Sequence, residues 1–231
     1  MRNKIVCPIP VLGRLSLVEM TIQRLLKQKV IPIIVGHEKE AYELAMKYEI
    51  EFVQHVNHPL GAKWNAGFMA AKKYNPDAVL FAGSSDWCSD EYIREIRKHT
   101  NQYALLGSLT CHFVDVSDTV KLVEWHGYNN MRKNEAIGIG RVLNKSFLNQ
   151  IQWQPFDSRL DNSLDYSMWK KATELQIKIG ILPSTKEVSL LSISTNKWNN
   201  KHRFHEHLNG KLDSTLVSNT LLNNFNEIYN L

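Results

Sequence analysis

The sequence predicts an α/β fold, in which helices cover both faces of a parallel sheet. Short apolar runs at residues 5–7, 30–35, 51–56 and 78–82 alternate with segments of helical periodicity. Alternation of this kind is typical of strand–helix–strand units that build a parallel sheet. The 231 residues, 43% of them apolar, are enough for one domain with a core that needs no disulfides.

The predicted helices follow from residue spacing. Val18, Ile22 and Leu25 fall on one helical face, and Ser16 and Glu19 before them have the form of a capping box. Further helices are predicted over the segments 38–47, 62–73 and 90–98. The third is rich in small residues, and the fourth has acidic residues in its first turn and basic residues in its last.

The pattern changes after residue 100. Strands are predicted at 103–109, 112–116 and 120–125, with a hairpin turn at 117–118, and the segment 127–135 has no periodicity and is predicted to be a mobile loop. A helix at 164–175 and strands at 177–182 and 188–193 follow, and the tail from 216 to 228 has helical spacing. No repeat or linker divides the chain, so residues 1–231 are predicted to form a single domain.

Composition excludes several classes of protein. The net charge of +5 suits an anionic substrate, but the basic residues are scattered, so no nucleic-acid partner is expected. No apolar run approaches the ~20 residues of a membrane span, so no transmembrane segment is expected. Cys7, Cys88 and Cys111 have no paired spacing and suggest reduced thiols in a cytoplasmic protein. The oligomeric state stays open.

Ligands of open α/β sheets bind at the carboxyl ends of the strands. Here the four segments that follow the first four strands, 8–14, 36–38, 57–65 and 83–87, are all polar or glycine-containing. Any one such loop is ordinary, but their coincidence predicts a common ligand cleft.

Two of these segments carry a family resemblance. Lys63-Trp64-Asn65-Ala66-Gly67 and Phe81-Ala82-Gly83-Ser84-Ser85-Asp86 resemble, in order and spacing, motifs of family 2 glycosyltransferases with the GT-A fold. The resemblance covers the first hundred residues well and the next ninety loosely. It implies a Rossmann-like three-layer α/β/α sandwich with a mixed sheet. It also implies transfer of a sugar from a nucleotide-diphosphate sugar to an acceptor hydroxyl, on a carbohydrate or another molecule, with inversion.

The resemblance also divides the chain into functional parts. It implies a nucleotide-sugar-binding half in residues 1–100, an acceptor-binding half in 101–205 and a C-terminal helical tail in 206–231. Glu38 could accept a hydrogen bond from the base or cap the helix that begins there. The candidate donor-binding residues are Pro8, Pro10, Arg14, Glu38, Lys63, Asn65, Ser84, Ser85 and Asp86.

The family's metal motif has two acidic residues, and this chain keeps only Asp86. Three interpretations stay open. Asp86 could hold Mn²⁺ or Mg²⁺ together with the diphosphate, water and a later ligand such as His205. Arg14 or Lys63 could neutralise the diphosphate instead. The chain could also be a catalytically degenerate module that binds a nucleotide sugar or carbohydrate. The pattern of the segment 202–207 around His205 favours a solvated basic loop over a ligand face.

Sugar transfer needs a general base to take the acceptor's proton. The resemblance places this base near the start of a late helix, where Asp165 is the first candidate and Asp161 the second. Either aspartate could instead cap that helix. Trp125, Tyr128 and Trp153 could stack on sugar rings or belong to the core.

Two other enzyme classes fit less well. A sugar nucleotidyltransferase would resemble its family in a glycine-rich, basic loop after the first strand, and residues 8–14 contain one glycine. A classical dinucleotide dehydrogenase would carry GxGxxG at that position, and the motif is absent.

Overall fold

The computed structural model describes residues 3–116, 121–194, 206, 214–216 and 219–230. Its first hundred residues alternate strands and helices as predicted. The elements are β1 Ile5–Pro10, α1 Leu15–Lys27, β2 Ile31–Gly36, α2 Lys39–Lys47, β3 Glu51–Gln54, α3 Leu60–Ala71, β4 Ala78–Phe81, β5 Asp86–Cys88 and α4 Asp90–His99.

The described residues after 100 add further strands and the helices α5 and α6. The elements are β6 Leu105–Gly107, β7 Cys111–Asp115, β8 Lys121–Trp125, β9 Arg141–Asn144, α5 Lys145–Gln150, α6 Leu164–Glu174, β10 Ile179–Ile181, β11 Leu190–Ser194 and β12 Ser214–Leu216. Two 3₁₀ helices, Lys72–Tyr74 and Asn219–Asn230, complete the described elements.

The strands form two sheets. The larger has seven strands in the order β10-β6-β9-β4-β1-β2-β3, and β9 runs antiparallel to its neighbours β4 and β6. The smaller has five strands in the order β12-β8-β7-β11-β5. The larger sheet is therefore mixed, as the resemblance implied. Strands β7 and β8 pair antiparallel, as the two arms of the predicted hairpin should, and its predicted turn at 117–118 lies outside the described residues.

Alternate residues of β1 face two separate cores. Ile5 packs in a cluster that includes residues of α1, α2 and α4. Its neighbour Val6 packs in a second cluster with residues of α3, α5 and α6. Because successive side chains of a strand point to opposite faces, helices cover both faces of the larger sheet. This arrangement is the predicted three-layer α/β/α sandwich.

Several local predictions were wrong. The capping box at Ser16 does not form: α1 begins at Leu15, after Arg14 in a left-handed conformation, and no side chain caps it. The helical tail is right for residues 219–230, which form a 3₁₀ helix, but wrong at Leu216, which lies in the strand β12. The first strand continues through Pro8 and Pro10, which were assigned to the following loop.

Two predictions about composition can be compared with the structure. Cys7, Cys88 and Cys111 are all buried, and no disulfide joins them. Among the described residues, no helix is long and apolar enough to cross a membrane.

Candidate functional site

The centre of the larger sheet opens at the carboxyl ends of β1 and β4. These two strands pair only through Ile5 with Ala78 and Val6 with Val79, whereas β1 continues alongside β2 as far as Pro10. Proline has no N–H to donate, so the later part of β1 is poorly suited to extend its ladder toward β4. A gap of this kind, where the strand order changes direction, is the usual ligand position in open α/β sheets.

A tight turn follows β4 at this gap. The N–H of Asp86 donates to the carbonyl of Gly83 at 3.2 Å, and the N–H of Gly83 donates to Oδ2 of Asp86 at 2.9 Å. Oδ1 of Asp86 accepts a hydrogen bond of 2.9 Å from Ser192 on β11. A methyl group on Gly83 would lie 2.9 Å from the carboxylate oxygen. The turn thus fixes Asp86 between β4 and the smaller sheet.

Arg14 brings a positive charge to the same turn. Its Nη2 donates to Oγ of Ser84 at 3.1 Å, and Ser84 and Ser85 are both buried. Burial raises the pKa of Asp86 above its ordinary value, and the bonds from Ser192 and Gly83 and the charge of Arg14 offset this only in part. The Asp86 carboxylate therefore still favours additional positive charge nearby.

The residues at the turn fit a divalent cation in a limited way. No group of three or more His, Cys, Asp or Glu side chains that could hold a metal occurs within the described part of the chain. Hard cations accept carboxylate, hydroxyl, water and phosphate oxygens, and Asp86 supplies the carboxylate at this turn. The donor set suits an ion held mainly by a substrate's phosphates. His205, the predicted additional ligand, lies outside the described residues.

A second group joins the ends of β1, β2 and β3. Lys63 on α3 donates to the carbonyl of Val11 and to Oδ1 of Asn57 at 2.6 Å, and Asn57 donates to Glu38 at 3.0 Å. Lys63 is only 1% exposed, and burial lowers its pKa, partly offset by the charge of Glu38. Lys63 therefore ties three strand-end loops together instead of presenting its charge at the surface.

The small face of α3 allows the helix to lie close to the sheet. A methyl group on Gly67 would lie 2.7 Å from Cβ of Pro8 and 2.8 Å from Val35. Asn65 is buried and exchanges hydrogen bonds with the backbone of Phe156, at 3.0 and 3.1 Å. Pro8 and Asn65 are thus part of the packing that holds α3, and their roles in donor binding stay predictions.

Asp165 lies in the first turn of α6, at the centre of a charged cluster. Its Oδ2 accepts hydrogen bonds from Tyr128 and from Nη2 of Arg132 at 2.6 Å. Glu135 pairs with Arg132 and, at 2.8 Å, with Arg141. Burial raises the pKa of Asp165, but the bonds from Tyr128 and Arg132 outweigh it, so the net pKa lies below the ordinary value.

This cluster is at the same edge of the sheet as Asp86. Arg141 begins β9 and pairs with Phe81, the last residue of β4, and the N–H of Gly140 donates to the carbonyl of Phe81 at 2.9 Å. A methyl group on Gly138 would lie 2.9 Å from Cβ of Asp165. The 138–141 segment therefore brings the α6 carboxylate to the carboxyl end of β4, five residues before Asp86.

Asp161 has a different place. Its Oδ1 accepts hydrogen bonds of 2.8 Å from the N–H of Leu60, the first residue of α3, and from Nδ1 of His58. Both bonds lower the pKa of Asp161, the one from His58 most. Asp161 thus accepts from the N-terminus of α3. The alternative interpretation, that Asp161 caps the following helix α6, was wrong.

The three aromatic residues that could stack on sugar rings or belong to the core lie in different surroundings. Trp153 is 2% exposed within the core. Trp125 packs edge-on against Tyr128, with ring centroids 5.1 Å apart, and Arg132 lies over the Tyr128 ring at 3.7 Å. Tyr128 therefore belongs to the Asp165 cluster.

The side chains that bond to the two aspartates were not predicted. Ser192 reaches Asp86 across 106 residues, and no local signal marks it. Arg132, Glu135 and Arg141 fall in or beside the aperiodic segment 127–135, where opposite charges at three-residue and six-residue spacing were the available clue.

A cavity of about 350 Å³ lies away from these groups, between the end of α1, the start of α4 and the C-terminal 3₁₀ helix. It is lined by none of the predicted site residues. Its charges pair with one another, as Arg24 does with Glu227 at 2.9 Å and Arg94 with Glu91. This cavity is thus a junction between packed elements.

Comparison with solved structures supports the same fold. The mannosyltransferase PcManGT from Pyrobaculum calidifontis, in complex with GDP-Man and Mn²⁺, matches 88% of this chain and 60% of its own, with a TM-score of 0.58 and 9% identity. Residues 1–349 of S. aureus TarS match 82% of this chain and 60% of their own, with a TM-score of 0.54 and 15% identity. The chain thus has a GT-A-like glycosyltransferase fold and spans about three fifths of the length of these two solved chains.

A nucleotidyltransferase is also similar. The inositol-1-phosphate CTP transferase from T. maritima matches 89% of this chain and 96% of its own, with a TM-score of 0.53 and 11% identity. Comparison of the sequence with protein-family models and with curated proteins finds no match.

Proposed function

We propose that the protein is a glycosyltransferase that moves a sugar from a nucleotide-diphosphate sugar to an acceptor hydroxyl. The observation that carries the proposal is the convergence of Asp86 and Asp165 at the carboxyl end of β4 within a GT-A-like fold. The donor half is residues 1–100 and the acceptor half residues 101–205. The neighbours that contain GDP-Man or UDP support a nucleotide sugar as the donor.

In this proposal the donor diphosphate binds at the turn between β4 and β5. Ser84 and Arg14 lie there to contact phosphate oxygens, and a guanidinium group can bind a phosphate through two parallel hydrogen bonds. Asp86 would be the protein carboxylate for Mn²⁺ or Mg²⁺, which supplies positive charge to the leaving diphosphate. The Mn²⁺ in the mannosyltransferase complex supports this choice of ion.

Asp165 is the proposed general base. The bonds from Tyr128 and Arg132 keep its pKa low, so the carboxylate is ionised at neutral pH and ready to accept the hydroxyl proton. A base in this position acts as the hydroxyl attacks the sugar from the side opposite the diphosphate, and this gives inversion. Asp161 is not proposed as the base because its carboxylate caps α3.

The test is a thermal-shift screen with UDP-, GDP-, CMP- and dTDP-sugars, each with and without Mn²⁺. We expect one nucleotide sugar to raise the melting temperature and the protein to release its nucleotide when an acceptor is present, a nucleoside diphosphate from a UDP-, GDP- or dTDP-sugar and CMP from a CMP-sugar. Stabilisation without release, with every acceptor tried, would instead indicate a nucleotide-sugar-binding module. Release of pyrophosphate from a nucleoside triphosphate and a sugar phosphate would indicate a nucleotidyltransferase, which the near-complete coverage of the CTP transferase makes the second candidate.

A further inference from the structure

The two oxygens of the Asp165 carboxylate are bonded unequally. Oδ2 accepts hydrogen bonds from the Tyr128 hydroxyl and from Arg132. Within the described part of the chain, no side-chain or backbone donor bonds to Oδ1. One oxygen is thus fixed by the protein, and the other is left to accept a proton from a bound molecule.

The donors to Oδ2 are themselves held in place. Arg132 forms two hydrogen bonds with Glu135, the one from Nε at 2.8 Å, and its guanidinium lies between the rings of Tyr128 and Tyr166, at 3.7 and 5.3 Å. Glu135 is 2% exposed. A guanidinium fixed by a carboxylate and two rings has little freedom to leave Asp165.

The backbone around Asp165 is equally constrained. Arg141, which is fully buried, donates to the backbone carbonyl of Asp165. Gly138 allows the close approach, since a methyl group there would lie 2.9 Å from Cβ of Asp165 and 3.7 Å from Oδ2. Asp165 is therefore held in three ways: by the bonds to Oδ2, by the bond to its backbone carbonyl, and by the contact of its side chain with Gly138.

Resting on the proposed function, we infer that Tyr128 and Arg132 are positioning residues that hold Oδ2 of Asp165 and leave Oδ1 as the oxygen that takes the acceptor proton. The transfer would then balance as follows. The acceptor oxygen forms a bond to the anomeric carbon, the bond from that carbon to the diphosphate breaks with its electron pair on the phosphate oxygen, and the acceptor proton moves to Oδ1.

The titratable and charged groups that face Asp165 are Tyr128, Arg132 and Glu135 from the 127–135 loop and Arg141 from β9. Loss of the Arg132 charge leaves Glu135 paired with Arg141 and removes one of the two donors to Oδ2. Burial of Asp165 would then count for more, and its pKa would rise.

The direct test is a ¹³C-carboxyl NMR titration of the wild type, Arg132→Gln and Tyr128→Phe, with Asp165→Asn to assign the signal. We expect the Asp165 pKa to be below its ordinary value in the wild type and to rise in both variants. Arg94→Gln removes an exposed arginine on α4 and is the matched control, with no expected change. An Asp165 pKa that is unchanged in both variants would overturn the inference.

A kinetic test follows on the transfer reaction. The acidic limb of the kcat profile should move to higher pH in Arg132→Gln and Tyr128→Phe, and kcat at the wild-type optimum should fall about tenfold or more, the effect of losing one charge-assisted hydrogen bond. The KM for the donor should change little. Arg132→Lys, which keeps the charge, should recover part of the loss. An acidic limb that stays in place in both variants would contradict the positioning role. So would a double variant in which Arg132→Gln lowers the kcat of Asp165→Asn by the same factor as it lowers the kcat of the wild type.

The proposed function and the positioning role of Tyr128 and Arg132 can be refuted independently of each other. If the wild type transfers no sugar from any donor, the proposed function fails, while the NMR titration still measures whether Tyr128 and Arg132 control Asp165. If transfer occurs but the Asp165 pKa does not respond to either substitution, the proposed function stands and the positioning role fails. Tyr128→Phe deletes a single hydroxyl, so it keeps the test usable even if Arg132→Gln misfolds.

Discussion

Glu135→Gln should lower the free energy of unfolding strongly, although it changes neither Asp86 nor Asp165, the two carboxylates of the proposed reaction. Glu135 is 2% exposed, accepts hydrogen bonds from Arg132 and pairs with Arg141, which is fully buried. Removal of one member of a buried ion pair leaves the other charge uncompensated, at a cost of about 3–5 kcal/mol.

The local contacts place the expected cost at the lower end of this range. Arg141 keeps hydrogen bonds to the carbonyls of Ala136 and Ile137, at 3.1 and 3.0 Å, and Arg132 is partly exposed and can be hydrated. The glutamine carbonyl also still accepts a hydrogen bond. We therefore expect a loss of about 3 kcal/mol in the free energy of unfolding, which lowers the melting temperature of a domain of this size by about 6–12 °C.

Urea denaturation followed by circular dichroism measures this loss, with the midpoint and the slope recorded for each variant. Glu91→Gln is the matched control because Glu91 pairs with Arg94 on the surface of α4, and an exposed pair contributes under about 1 kcal/mol. A Glu135→Gln cost equal to that of Glu91→Gln would refute the view that the buried pair anchors the 127–135 loop.

Three further predictions concern other parts of the molecule. Asp86→Asn or EDTA should weaken binding of the nucleotide sugar, measured by calorimetry, because the single carboxylate and its cation are lost; donor affinity indifferent to both would remove the metal from the proposal. Gly67→Val should cost about 1–3 kcal/mol by overpacking α3 against Pro8 and Val35, and a stability equal to that of the wild type would mean that α3 can shift. Burial lowers the pKa of His112, so the unfolded chain binds more protons there, and stability should fall as the pH drops below about 6.5. His112→Gln should flatten that dependence between pH 5 and 7, and an unchanged slope would contradict the assignment.

Much of the fold was predictable because its first half is built from local patterns. Apolar runs and helical spacing predicted β1 to β4 and the helices between them, and the strand-end rule predicted that the loops at Glu38, Lys63 and Asp86 share one edge of the sheet. The direct link between Glu38 and Lys63 through Asn57 is a contact that the pattern could not specify. Lys63 is buried among these loops, and its role in donor binding stays a prediction.

The rest could not be predicted because it depends on pairing between distant residues. Strand β5 is three residues long, too short for a periodic signal. Ser192 reaches Asp86 only because β11 pairs with β5 in that register. The Asp165 cluster forms for the same reason, since Arg141 reaches α6 only once β9 is placed beside β4.

The most direct test of the account is nucleoside diphosphate release by Asp165→Asn at saturating donor and acceptor, compared with the wild type. Loss of a general base lowers the rate by about 10²–10⁴-fold, and we predict a loss in this range with an unchanged shift in melting temperature on donor binding. A variant that releases nucleoside diphosphate at the wild-type rate would contradict the assignment of Asp165 as the base.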